Sequence, residues 1–110
     1  MYLHSLLHFI MLHIPIGANA NQQDKFGRSP LHVAAAVDYA EMVRFLIKNG
    51  ADINIATNGE GQMPIHYAAK NDACKSLKML IGYGANVDSR DGKNRTPLQV
   101  SMGINASDHI

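Results

Sequence analysis

The sequence predicts a helical stack, in which short two-helix units lie side by side around a shared apolar core. Three observations predict it. The string PLHVAAAVDYAEMVRFLIKNGADIN, from Pro30 to Asn54, aligns without a gap on PIHYAAKNDACKSLKMLIGYGANVD, from Pro64 to Asp88. Proline opens each copy, and Gly50-Ala51 or Gly84-Ala85 closes it. A third copy opens at Thr96-Pro97-Leu98, at nearly the same interval after Pro64 as Pro64 after Pro30. Self-similarity at a fixed period, here roughly 33 residues, is the mark of a stacked repeat array.

Composition narrows the function classes. With 110 residues the chain holds at most one compact domain. A formal charge of +1 gives no strong bias toward nucleic acid or a membrane surface. Cys74 is the single cysteine and has no internal disulfide partner, which favours a reducing, intracellular and cytoplasmic setting. Residues 1–23 carry no Lys, Arg, Asp or Glu, and Ala18-Asn19-Ala20 has the form of a signal cleavage site. The basic start of a signal is missing, however, and His4, His8 and His13 interrupt the apolar run. Gly17-Ala18-Asn19-Ala20-Asn21 also falls one repeat period before Gly50-Ala51-Asp52-Ile53-Asn54, so the repeat register already accounts for it. The apolar run ends at Ile16 and contains Pro15, short of the about 20 residues a membrane span needs.

In chain order, residues 1–16 fall in register on the second helix of a unit, with Phe9 and Ile10 where Met42 and Val43 stand. Leu3, Leu6 and Ile10 keep the spacing of one helical face. His13 takes an apolar place, and Pro15 should stop the helix near Ile14. A polar, turn-rich connection follows, with Gly27 free to take positive φ. Pro30 then starts a helix at the position where its missing N–H does no harm, and Ser29 can cap it. Asp38 stops it. A second helix is expected over about Glu41 to Asn49, ended by Gly50. The next connection has one residue more than its counterparts, which Asn58-Gly59-Glu60-Gly61 absorbs, Asn-Gly favouring a tight hairpin turn. Met63 stands where the other copies have Ser29 and Thr96, so a capping hydroxyl is lost. Pro64 to Tyr83 repeats the helix pair, and Pro97 opens another first helix with Gln99 in place of the histidine.

The T-P-L-H-x-A opening, spread over Pro30-Leu31-His32-Val33-Ala34 and Thr96-Pro97-Leu98, and the G-A-D-x-N close at Gly50 to Asn54 resemble the ankyrin repeat. The resemblance covers Gly17 to Ser101 well. It implies an all-α solenoid of antiparallel helix pairs with β-hairpin finger loops on one edge. It divides the chain into 1–21, a partial repeat with the second helix only; 22–54 and 55–88, two full repeats; and 89–110, a partial repeat with the first helix only. It also implies a left-handed residue between paired helices, commonly glycine. Asp38, Asp72 and Asn105 stand there, the side chains that tolerate that conformation next best. Apolar residues at both ends, Leu3, Leu7 and Met11 or Met102, Ile104 and Ile110, are left for neighbouring layers to cover. Self-association through the uncovered terminal repeats is open.

For His32 and His66 the resemblance implies a structural inter-repeat role, each ring bridging neighbouring fingers. His4 and His8, four apart, lack a nearby third ligand for a metal. Cys74 lies near a helix start without a His or Asn placed to make a nucleophile pair. Gly82-Tyr83-Gly84 follows a helix rather than a strand and is no phosphate loop. No catalytic constellation, metal site or cofactor is expected. The resemblance implies instead a partner protein held in the groove between fingertips and first helices. Phe26 and Tyr67 are the expected aromatic anchors, with Arg28, Lys70, Arg90, Lys93 and Arg95 around them, since such side chains dominate interface energies. The cluster Arg90, Lys93, Arg95 points to a partner with an acidic face. The alternative is a segment of a larger array, such as the cytosolic regulatory array of a transient receptor potential-type ion channel.

Overall fold

The computed structural model describes residues 20–103, which form five helices: α1 Pro30–Ala36, α2 Ala40–Lys48, α3 Pro64–Lys70, α4 Cys74–Gly82 and α5 Pro97–Met102. The expectations for residues 1–19, including the helix ending near Ile14 and the His4–His8 pair, lie outside the described residues. So do those for Ile104, Asn105 and Ile110.

Each first helix starts on proline at its first turn, preceded by an extended residue. Ser29 Oγ accepts from the His32 N–H at 3.3 Å, and Thr96 Oγ1 from the Gln99 N–H at 3.2 Å. Met63 has no such oxygen, yet α3 starts at the same register because Pro64 still fixes φ. The helix pairs are joined by a single left-handed residue, Asp38 at φ 60° and Asp72 at φ 54°. Both turns close identically: Tyr39 N–H donates to Ala34 O and Ala73 N–H to Ala68 O, each at 2.9 Å. The second helices end on Gly50 (φ 98°) and Gly84 (φ 101°). There Ala51 N–H reaches Leu46 O and Ala85 N–H reaches Leu80 O, each at 2.9 Å, which satisfies carbonyls the helix leaves open.

The packing is one-dimensional. The first helices stand in a row, α3 between α1 and α5, and α4 packs on α2 behind them. Leu31, Met42, Val43, Leu46, Ile65 and Leu80 fill the space between the rows. Ala34, Ala35 and Ala68 are fully buried, and their single methyl groups let the helices of the inner row approach closely. The architecture is thus an all-α repeat solenoid. Among the described residues no finger reaches strand length. Backbone bonds run across the tips from Asp24 N–H to Arg28 O, Thr57 N–H to Gln62 O and Asp91 N–H to Arg95 O, and the first and third tips add Gly27 N–H to Asp24 O and Asn94 N–H to Asp91 O, all at 2.8 to 2.9 Å. The additional residue of the middle finger is taken up by Gly59 and Gly61, both at positive φ. Asn58 itself stays at negative φ and ties back to the first finger, its backbone N–H on Phe26 O and its side chain on Lys25 O. Gly27 lies directly under this contact, where a Cβ would collide with the Asn58 backbone.

Asp38 does more than tolerate its conformation. Its carboxylate accepts the Ser76 backbone N–H at 2.8 Å and so caps α4, the second helix of the following unit. We expect Asp38→Ala to cost about 2–3 kcal/mol, from the left-handed backbone (about 1–2 kcal/mol) and the lost cap (about 1 kcal/mol). Asp38→Asn, which keeps an acceptor oxygen and the conformational tolerance, should cost less than half of that. Urea melts of the two variants measure the difference, and equal losses would remove the capping role.

Candidate functional site

The finger edge is held in place by two imidazoles. In His32, Nδ1 accepts the Ser29 backbone N–H at 3.1 Å, so the proton sits on Nε2, which donates to Gln62 O of the next finger at 2.7 Å. His66 repeats this one unit on: the Met63 N–H donates to Nδ1 at 3.1 Å, and Nε2 donates to Arg95 O at 3.0 Å. Each ring therefore caps its own helix and carries the following finger. In the third copy Gln99 performs the first half of this task, its Oε1 accepting the Thr96 N–H at 3.0 Å. Burial holds both imidazoles below the ordinary histidine value of 6.5, against the backbone carbonyls, which pull the other way.

Further bonds lock finger to finger. Gln23 Nε2 donates to Ala56 O at 3.1 Å, and Gly92 N–H to Glu60 O at 2.7 Å. At the centre lies Gln62, fully buried. Its Nε2 donates to Asp91 Oδ2 at 3.3 Å and its Oε1 accepts from Lys70 Nζ at 3.0 Å. Burial pushes the Asp91 carboxyl up, but the N–H groups of Arg95, Gln62 and Lys93 outweigh it and hold the group below the usual carboxylate range.

The residues singled out in the sequence fall along this edge. Phe26 projects from the first fingertip, 53% exposed, with Lys25 Nζ 5.2 Å and Arg28 Cζ 4.9 Å from its ring centre. Tyr67, on α3, meets His32 edge-on at 4.8 Å and carries Lys70 Nζ 4.2 Å over its ring. Burial raises the Tyr67 hydroxyl, and it feels Arg28, Asp24 and Glu60, so the first two fingertips and α3 share one electrostatic neighbourhood. Arg28 is held by Asp24 at 2.9 Å. On the third finger, Arg95 is turned inward, its side chain 13% exposed, onto Asp91 at 3.0 Å and Glu60 at 3.7 Å. Lys93 reaches Glu60 at 3.3 Å, and Arg90 donates to the Asn94 carbonyl at 3.1 Å. Sequence reasoning missed Gln62 and Asp91 as the joints of this edge. A signal was there: Asp24 and Arg28 recur as Asp91 and Arg95 at the same spacing in the outer fingers, while Gln62 takes the arginine's place in the middle one. Among the described residues no group of three His, Cys, Asp or Glu could hold a metal, and no helix is long and apolar enough to cross a membrane.

Comparison with known proteins agrees with this geometry. A family model described as ankyrin repeats, in three copies, matches residues 3–91. The chain is 40% identical over 55 residues to human protein phosphatase 1 regulatory subunit 27, a match that spans 50% of this chain and 35% of the relative. It is 41% identical over 54 residues to the bovine ankyrin repeat domain-containing protein 37, spanning 49% and 34%. To the putative ankyrin repeat protein FPV230 of Fowlpox virus it is 47% identical over 38 residues, spanning 34% and 20%. The matches span about a third or less of the length of these relatives.

The buried imidazoles give the edge a pH dependence of definite sign. The folded state binds fewer protons at His32 and His66 than the unfolded chain, so stability rises with pH across their titration. Their contribution is complete above the unfolded value of 6.5 and is lost as the pH falls below it; the Asp24 and Asp91 contributions are lost only below about 3.8. We expect a urea midpoint that drops from pH 7 to pH 5 and a flatter profile in His32→Gln/His66→Gln. That variant should keep the caps, as Gln99 does, and lose about 1 kcal/mol at pH 7 for each finger bond no longer made.

Proposed function

The chain belongs to the ankyrin-repeat family, and on that premise we propose that it is a non-catalytic interaction module that grips a partner protein along its finger edge. Ankyrin repeats are protein-interaction modules. The observation that carries the reading is the tie between fingers: three tips and α3 are joined through His32, His66, Gln62 and Asn58 into one surface that presents Phe26 and Tyr67. Such a surface loses little conformational freedom on binding, which favours affinity for a given contact area. The partner is a protein rather than nucleic acid or a bilayer. The reading carries a cytoplasmic setting with it, where the free thiol of Cys74 stays reduced. One relative is named as a regulatory subunit of protein phosphatase 1, which makes that phosphatase the first partner to offer.

A second reading, a segment of a longer array, is favoured by the groove between α4 and α5. Leu77, Ile81, Val87 and Leu98 line it. Leu31 and Ile65 are buried at the register position where Leu98 is 65% exposed, because among the described residues no further helix pair covers α5. If the groove is built for stacking, a chain extended by one helix-pair unit beyond residue 110 should show a higher urea midpoint. An unchanged midpoint would sink this reading.

For the first reading, immobilised wild-type protein should retain its partner, and Phe26→Ala/Tyr67→Ala should weaken retention at least tenfold, as loss of two interface anchors does. Glu41→Ala/Lys48→Ala, on the opposite helix row, should leave it unchanged. Retention that survives the first pair and fails with the second would overturn the finger edge as the binding surface.

A further inference from the structure

The charges of the finger edge do not balance, and the imbalance specifies the partner. The fingertips (24–28, 57–62 and 90–95) and α3 carry three carboxylates, and all three are in ion pairs. Asp24 holds Arg28 at 2.9 Å, Asp91 holds Arg95 at 3.0 Å, and Glu60 faces Lys93 at 3.3 Å and Arg95 at 3.7 Å. Three cations of the same surface have no carboxylate within ion-pair distance among the described residues: Lys25, Lys70 and Arg90. All three are exposed. Of the sequence's basic cluster on the third finger, therefore, only Arg90 has no carboxylate within ion-pair distance among the described residues, and the unmatched charge extends back to the first finger.

The unmatched cations are positioned. Lys25 lies over the Phe26 ring and Lys70 over the Tyr67 ring, and the Lys70 ammonium also donates to Gln62 Oε1, on an amide whose Nε2 donates to Asp91. An ammonium has three N–H donors, so the bond to Gln62 leaves Lys70 with donors to spare. Any protein that covers Phe26 and Tyr67 strips water from these cations. Removing water from an unpaired charge is costly, while a carboxylate brought by the partner offsets that cost and speeds encounter. A neutral or basic partner would bury them unmatched.

We propose that the occupant of the finger edge is an acidic protein segment, in which Asp or Glu side chains flank an apolar residue that lies against Phe26 and Tyr67. The proposal rests on the interaction reading and names the chemistry of the partner it requires. The probe is a fluorescein-labelled heptapeptide that alternates Glu with Phe and Leu, compared with versions carrying Gln or Lys in place of Glu, all read by fluorescence anisotropy with the full chain.

The Glu peptide should bind at least tenfold more tightly than the Gln peptide, and the Lys peptide should not bind. Binding should weaken several-fold from 50 to 300 mM salt, as exposed charge pairs are screened. Lys70→Met, which keeps an unbranched stem over Tyr67, should weaken it about fivefold, and Lys25→Glu/Lys70→Glu at least tenfold. Lys48→Glu/Lys75→Glu, on the other helix row, should not change it. Glu and Gln peptides that bind equally, both lost in Tyr67→Ala, would overturn the acidic partner and leave the groove reading standing. Equal losses from the two charge-reversal pairs, or no binding of the Glu peptide, would overturn the proposal as well. So would vesicles of phosphatidylserine that outcompete the peptide in a Lys70-dependent way, since the ligand would then be a lipid surface.

Discussion

An imidazole has two nitrogens that point away from each other, one able to accept and one to donate, and this array depends on that asymmetry. In His32 and His66 the accepting nitrogen closes the start of the residue's own helix, and the donating nitrogen holds the backbone of the next finger. A hydroxyl is too short to do both, and a lysine has no acceptor. The edge needs such a device because the bonds inside each loop close its tip but do not set one finger against the next. Asp24 and Asp91 accept N–H groups of their own turns, and the remaining polar groups outside regular structure must find partners elsewhere. Those partners come from the neighbouring unit.

The rest of the edge follows the same logic of borrowing. Gln23, Asn58 and Gly92 each bond the adjacent finger, and Gln62 is satisfied only because Lys70 stands on one side of it and Asp91 on the other. A buried amide in this position is costly when half satisfied, so the geometry of three fingers is fixed together or not at all. That explains why a surface built from loops presents its aromatic and cationic groups in defined places.

Much of the fold was legible from residue pattern. Pro30, Pro64 and Pro97 mark helix starts because φ is preset and the missing N–H is harmless there. Asp38 and Asp72 mark the turns because few side chains accept a left-handed backbone, and both do adopt it. The site was legible only as a set of positions. Register says that Arg28, Arg90, Lys93 and Arg95 lie on fingers, but the sign of the free surface depends on which carboxylate each one meets. Arg95 meets two, Asp91 on its own finger and Glu60 on the neighbouring one, and turns inward. Gln62 was legible only in part for a related reason: the recurring Asp–Arg spacing marks its position, but not that an amide there would be buried between Lys70 and Asp91. The second duty of Asp38 was hidden because its partner is a backbone N–H far along the chain, in the next unit.

That last contact gives the array a direction. The Asp38 carboxylate reaches forward to close α4, and if α4 departs, the carboxylate returns to water at little loss. If the layer containing Asp38 departs first, α4 keeps an orphan N–H in its opening turn. At this one joint, loss of the far layer leaves no helix start open, whereas loss of the near layer uncaps α4. The helix row is thus polar at this joint, while the finger row, tied through Gln62 and His66 to the third finger, loses bonds whichever layer goes first.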